Sequence, residues 1–497
     1  MNAALIVIAI FFACALAAGL VARRGITMNL KEWAVAGRGF GTVITFVLIA
    51  GEVFSTYSFL GATGWAYGRG APTFYYLACA SLAFVIGYWS LPRLWAYAQE
   101  RGLISFSDYF ESKYRSKPLG VIVCVIALLA MIPLLVIQLR GLGIIVAETS
   151  YGAISENAAI WIGLSIMVVY IVVSGIRGAA TVAVIKDISI FALALFLGIY
   201  LPLHYFGSYA HMFSAISTAK PHHFQLPDKG LNLSWYNSTV ILISLGFYLY
   251  PYQFTSIYAA RSLNAVRKNA VILPLYQTLI TCMYMVGFAA ILVVPGLEGA
   301  SVDLALFRIS KLSFDPWFVG VIGGVGLLTA VVPGAMILLN ASTMVGKNIY
   351  KEYFNPSAPD TRVERVAKIT VPLYALVAVI ALFKSGIEMV PLALLASNLL
   401  NQLFPSFIIG LFRRDAINGR APIAGIAAGM MLIAYVMLGY DGSVARALPF
   451  APDFIQSCNL GLLALLLNLA VFLAAMKLWP ESSRQAADES FSMPRSA

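Results

Sequence analysis

The stretch Val47-Leu-Ile-Ala-Gly51-Glu52-Val53-Phe54-Ser55-Thr56-Tyr57-Ser58-Phe59-Leu60-Gly61-Ala62-Thr63-Gly64-Trp65 decides how this chain is read. It is long and apolar enough to cross a bilayer, yet an acid sits at its centre. Glycines 51, 61 and 64 weaken the helix on both sides of that acid. A carboxyl at mid-membrane is costly unless it is paired, protonated or facing a wet cavity. The segment therefore reads as a spanning helix interrupted at a polar site.

Working outward, the composition agrees. Of 497 residues, 60% are hydrophobic and 11% charged, with mean hydropathy +0.85. A water-soluble domain of this size needs far more polar surface. Crossing the hydrocarbon takes roughly 20 apolar residues with every backbone amide paired inside the segment. About thirteen such spans are expected. They fall near 3–22, 43–67, 74–98, 118–147, 158–174, 181–206, 237–258, 269–295, 317–344, 368–384, 388–411, 421–440 and 456–478. The first lacks a basic leader and a small-residue cleavage site, so it reads as a retained helix. The fold class is an all-α polytopic membrane protein, with one integral domain over 1–479 and a short polar tail over 480–497.

Orientation follows from the basic residues. With the N-terminus outside and the C-terminus inside, only Arg69, Lys220, Lys229, Arg308, Lys311, Lys384 and Arg446 lie on the outer side. Arg140 and Lys186 fall within or at the edge of spans, and the other Lys and Arg of the 33 lie in cytoplasmic segments. The net charge of +11 is then a positive-inside signature of a cytoplasmic (inner) membrane protein. The lipid bilayer accounts for it and no nucleic acid is required. No obligate protein partner can be named.

Chemistry-bearing patterns are sparse. Cys14, Cys79, Cys124, Cys282 and Cys458 lie in different spans without ligand spacing and read as buried thiols. His204, His211, His222 and His223 read as an outer solvated region rather than a metal site. No Walker lysine loop, HExxH or GxSxG is present, so no enzymatic activity and no cofactor are expected. The glycine run 320–326 lies inside a span and reads as a close helix–helix contact. Trp65, Trp95 and Trp317 read mostly as interfacial belt residues, and residues 102–115 as an amphipathic helix on the inner leaflet.

A second interrupted span reads Gly246-Phe-Tyr248-Leu-Tyr250-Pro251-Tyr252-Gln253-Phe-Thr255-Ser256, where Pro251 removes a donor and frees a carbonyl. Two broken helices five spans apart predict a five-plus-five inverted repeat, about 43–206 against 237–411, with a site where the breaks meet. Gln138 and Arg140 read either as partners for a substrate carboxylate or, for the arginine, as a group snorkelling to the headgroups. Lys186 and Asp187 read as an interfacial ion pair or as part of a cation exit path. Gln402 reads as a core hydrogen bonder or a substrate contact.

On Ala36-Gly37-Arg38, Phe59-Leu60-Gly61, Asp187 and Asn348-Ile-Tyr350-Lys351-Glu352-Tyr353, the chain resembles the solute:sodium symporter family, with its leucine-transporter-like fold. Residues 37–70, 138–145 and 265–269 look most like the bacterial monocarboxylate-permease branch. The resemblance implies a secondary-active symporter importing a small organic anion. It also implies a sodium site with ligands at Gly51, Phe54, Ala330 and positions 333 and 334. Sodium-coupled relatives carry Ser or Thr at the last two, where this chain has Pro333 and Gly334, neither with a side-chain oxygen. The coupling ion is thus H+ or Na+, with Glu52 the proton carrier and Asp187 on a cation path. Thr56, Tyr57 and Ser58 are expected to face the substrate, with Tyr248, Tyr252 and Gln253 opposite and Arg140 attracting the carboxylate. Other readings are uptake of an amino acid, sugar, pantothenate or urea, or a membrane-embedded sensor of the same fold.

Overall fold

The protein is described here by a computed structural model covering residues 3–22, 24, 29–384, 386–413 and 417–479. The expected polar tail, 480–497, lies outside the described residues, as do Arg23 and Arg414. Among the described residues, ten helices are long and apolar enough to cross a membrane. The bent pair Thr42–Val53 and Tyr57–Arg69 makes an eleventh span. Two of the expected spans share one helical run, Glu156–Phe206, of 51 residues. At about 1.5 Å per residue such a run would extend more than twice the hydrocarbon thickness. Gly175, at φ 57 and ψ −156, divides it into spans five and six. With that division, and with the first helix Ala3–Val21, each expected span has a helical counterpart.

Gly175 sits where it does because Trp33 packs against its missing side chain. Trp33 belongs to the short helix Leu30–Val35, capped by Asn29, whose side chain accepts from the Glu32 amide. Glu32 Oε2 accepts from Arg177 Nη2 at 2.9 Å, just past the division. The segment ahead of span two is thereby clamped onto the turn between spans five and six. Ala36, Gly37 and Arg38 then run at φ 49, 57 and 66. Arg38 bridges to the Gln99 side chain at 2.8 Å and to Leu103 O at 3.0 Å.

Span nine, Pro316–Met344, is the centre of the bundle: 94% of its apolar window is buried, against 33% for span ten, Asp360–Lys384. It packs on span one, on span four (Lys117–Thr149) and on the divided run. The glycine run carries these contacts. A methyl group at Gly320 would collide with the Ala4 backbone, and one at Gly324 with Phe11. One at Gly326 would meet Phe59 and Ile145.

Three expectations are corrected. Of the five thiols expected to be buried, Cys79 and Cys124 are, whereas Cys14 is exposed and Cys282 and Cys458 are partly exposed. Trp65 is not a belt residue; it is 3% exposed and its Nε1 donates to Glu388 Oε2 at 2.9 Å. The segment 102–115 forms helix Phe106–Tyr114, opened by a Ser105/Asp108 capping box. Its apolar face meets protein rather than lipid: Phe106, Tyr109 and Phe110 are fully buried, and Tyr109 packs on Phe254 and Phe407. Alternating apolar positions alone do not distinguish a lipid-facing surface from a protein-facing one.

Replacing Gly320 with Val should cost about 1–3 kcal/mol through overpacking against the Ala4 backbone. Gly439→Ala, at the end of helix Arg420–Gly439 where a methyl group meets nothing within 4 Å, should be neutral or slightly stabilising. Thermal unfolding of the detergent-purified variants measures both.

Candidate solute and cation site at the two helix breaks

Helix Thr42–Val53 ends because Phe54 leaves the helical region at φ −94, ψ 80, although its amide still donates to Ala50 O at 2.9 Å. The chain resumes as a wide turn, Tyr57–Gly61, and continues as Ala62–Arg69 at a bend of 51°. A helix end leaves carbonyls without intrahelical donors, and inside a bilayer water does not supply them. Ser58 Oγ serves Val53 O at 2.9 Å. Lys186, on span six, serves two more: its Nζ donates to Gly51 O at 2.5 Å and to Phe54 O at 2.7 Å. The same nitrogen lies 3.1 Å from Asp187 Oδ1, which also accepts from Tyr276 Oη at 3.3 Å. Lys186 is fully buried. Span six packs closely on Gly51: an added methyl there would sit 3.4 Å from Ala183 Cβ and from the ammonium itself, at van der Waals contact.

Span seven breaks between Leu233–Gly246 and Pro251–Tyr258, where Tyr250 is extended at φ −75, ψ 130 and Pro251 opens the second helix. A cavity with about 690 Å³ of atom-free space, its mouth included, lies between the two breaks. Span two contributes Glu52, Ser55 and Tyr57; span seven contributes Tyr250, Tyr252 and Gln253. Tyr75 and Tyr76 enter from span three, Gln138 from span four, Pro333 from span nine and Ser397 from span eleven. Glu52 Oε1 accepts from Ser256 Oγ at 2.8 Å, whereas its Oε2 and Gln253 Oε1 are buried without a hydrogen-bond partner. Tyr57 and Tyr75 share a hydroxyl contact of 2.7 Å, and Tyr250 reaches Ser397 at 2.8 Å. No Lys or Arg lines this cavity among the described residues.

The breaks thus bring together Glu52, Tyr57, Gln138, Tyr252 and Gln253 of the expected set. Others lie elsewhere. Thr56 Oγ1 donates to Gln138 Oε1 at 2.8 Å behind the wall, and Ser58 serves its own helix end. Tyr248 packs on Phe84 and Phe247 outside the lining. Gln402 donates to Asn398 O and Gly461 O at 3.2 Å, and Asn468 donates to Gln402 O at 2.6 Å. Gly51 and Phe54 point their carbonyls at Lys186, and Ala330 is fully buried in span nine. Tyr75, Tyr76, Tyr250 and Ser397 were not singled out from sequence. The Tyr75-Tyr76 pair closely following Pro72 was the available signal.

Arg140 does not reach the cavity. Its Nη1 donates to Ile387 O at 2.6 Å and its Nη2 to Ala300 O at 2.9 Å, 3.4 Å from Asp303 Oδ2. Asp303 lies in the loop helix Gly299–Leu304 between spans eight and nine. Burial pushes its carboxyl up to about 7, against the pull of Arg140.

Comparisons with known proteins accord with this geometry. The family model of the sodium:solute symporter family matches residues 33–432. The chain belongs to that family. The uncharacterized symporter YhjB of Bacillus subtilis is 46% identical over 489 residues, covering 98% of this chain and 100% of that protein. A monocarboxylate transport permease protein of Rhizobium johnstonii is 28% identical over 500 residues, covering 96% and 97%. A solved structure of a substrate-bound, outward-open, Na+-coupled sialic acid symporter superposes with a TM-score of 0.79 at 14% identity, over 97% of this chain and 98% of that one. The chain therefore has the leucine-transporter-like fold and is a multi-pass secondary-active symporter rather than an enzyme.

Arg140→Gln alone should destabilise strongly, by about 3–5 kcal/mol, because Asp303 is left buried and unpaired. Adding Asp303→Asn should restore folding, with the apparent KM for solute unchanged. Because the folded state holds the Asp303 proton more tightly than the unfolded state, wild-type stability should fall as pH rises from about 4 through about 7. Asp303→Asn should remove that component of the pH–stability curve.

Proposed function

We propose that this symporter imports a small monocarboxylate such as acetate, lactate, pyruvate or propionate together with a proton carried by Glu52. The observation that carries the reading is the Glu52 carboxyl in the cavity wall, with one oxygen held by Ser256 and the other without a partner. An ionised Glu52 about 4 Å from a bound carboxylate would cost about 4 kcal/mol at an effective dielectric constant of 20. A protonated Glu52 instead offers an O–H donor to that carboxylate. Proton and anion then bind as a pair and cross as a neutral unit, which suits a wall without Lys or Arg. Tyr57, Gln138, Tyr252 and Gln253 orient the solute. Similarity to the Rhizobium johnstonii monocarboxylate permease over nearly the full chain supports the substrate class.

The charged and titratable groups around Glu52 are Lys186 and Asp187 on span six and Tyr252 on span seven, beside the Ser256 hydroxyl. Alternating access then requires the cavity to open to each side in turn. The basic-loop asymmetry supports an N-terminus outside, a C-terminus inside and residence in the cytoplasmic membrane. The inverted repeats, about 43–206 and 237–411, would supply the two halves that rock against each other.

Uptake of labelled acetate, lactate and pyruvate into proteoliposomes tests this, with diffusion of the neutral acids subtracted in protein-free vesicles. Each unit of imposed pH gradient should drive about tenfold accumulation for one proton per solute. Glu52→Gln should lose that accumulation yet retain solute exchange. Wild-type pH dependence in the Gln variant would remove Glu52 from the mechanism.

A further inference from the structure

A helix broken at mid-membrane leaves backbone carbonyls of the kind that coordinate a monovalent cation in transporters. Here those carbonyls are already taken. An ammonium has three donors, and the Lys186 nitrogen meets three acceptors: Gly51 O, Phe54 O and Asp187 Oδ1 at 2.5, 2.7 and 3.1 Å. The group is fully buried, so water completes nothing. At the two span-nine positions where the resemblance implies side-chain oxygen ligands, Pro333 and Gly334 bring none.

We infer that Lys186 is a built-in cation: its ammonium occupies the carbonyl cage at the span-two break, and the symporter works its cycle without sodium. Like sodium, the ammonium carries a single positive charge and seeks oxygen. Unlike sodium, it is tethered to span six and cannot be released to either side. The group that ties the broken half of span two to span six is therefore never released with the solute, and the driving ion must be found elsewhere. Asp187 on its own helix, Glu52 on span two and Tyr276 on span eight are the titratable groups facing it. Asp187 Oδ2 has no hydrogen-bond partner and remains available as a further oxygen ligand. The inference deepens the proton-coupled reading and rests on it for the driving ion, while the lysine's occupancy of the cage stands on its own distances.

The test is solute counterflow in proteoliposomes, with sodium exchanged for N-methylglucamine at constant pH and ionic strength. Counterflow needs no driving gradient, so its response to sodium reports the cage, whereas loss of pH-driven accumulation reports Glu52. Wild-type counterflow should change less than about twofold when sodium is removed, below the usual range of coupling effects. Lys186→Ala leaves three oxygens around a space of cation size. Sodium should stimulate this variant about tenfold. Lys186→Met fills the space with an apolar chain, and sodium should not rescue it. A wild-type protein that needs sodium would overturn the inference without any variant having to fold. So would a folded Lys186→Ala protein, monodisperse on size exclusion, that exchanges solute at the wild-type rate and ignores sodium.

Discussion

The contact between the Lys186 ammonium and the carbonyls of Gly51 and Phe54 is the constraint on which the centre of this protein depends. Span two must break at mid-membrane for Glu52 to face a cavity, and a break in lipid leaves polar backbone that water cannot satisfy. A buried ammonium is equally costly by itself. Each offsets the other: the lysine supplies donors to the break, and the break, with Asp187, supplies acceptors to the lysine. Removing either partner leaves the other stranded. Gly51 brings the two spans close, with room for no more than a methyl group at van der Waals contact with Ala183 and the ammonium.

The remainder of the bundle holds this centre from both ends. On the side of the basic loops, Asp108 takes Lys347 Nζ at 2.6 Å and Asn348 Nδ2 at 2.8 Å, joining helix Phe106–Tyr114 to the end of span nine. On the opposite side, Glu388 takes Arg69 at 2.8 Å and Trp65 at 2.9 Å, and Arg140 ties the loops at 300 and 387 to span four. Charged groups that sequence alone offers for the solute are thus engaged in holding the ends of the helices. Among the described residues, the polar part of the cavity wall is left with hydroxyls, amides and one acid.

Much of the fold was legible in the chain because lipid imposes simple rules. Thirteen apolar runs, two broken helices and a glycine-lined central span follow from hydropathy, Pro251 and the 320–326 run. The Gly175 division was placed to within the loop between two expected spans, although the structure makes it one positive-φ residue. The site was only partly legible. On the broken segments, Glu52, Tyr57, Tyr252 and Gln253 meet at the cavity, whereas their neighbours Thr56, Ser58 and Tyr248 turn into the surrounding protein. Residues on intact helices do not announce which neighbour they face: Arg140 and Gln402 turn to loops and to the last span, and Tyr75 and Tyr76 turn inward. Lys186 was read as half of a local pair with Asp187. Its other two partners lie 135 and 132 residues away, a distance no local pattern encodes.

The most direct test of the account is equilibrium binding of radioactive sodium to the purified wild-type protein, with and without solute. If the lysine fills the cation cage, binding should show no saturable component and no response to added monocarboxylate. Saturable sodium binding that tightens when the solute is present would contradict the account, because it would require the Gly51 and Phe54 carbonyls, or an equivalent set, to be free for an ion.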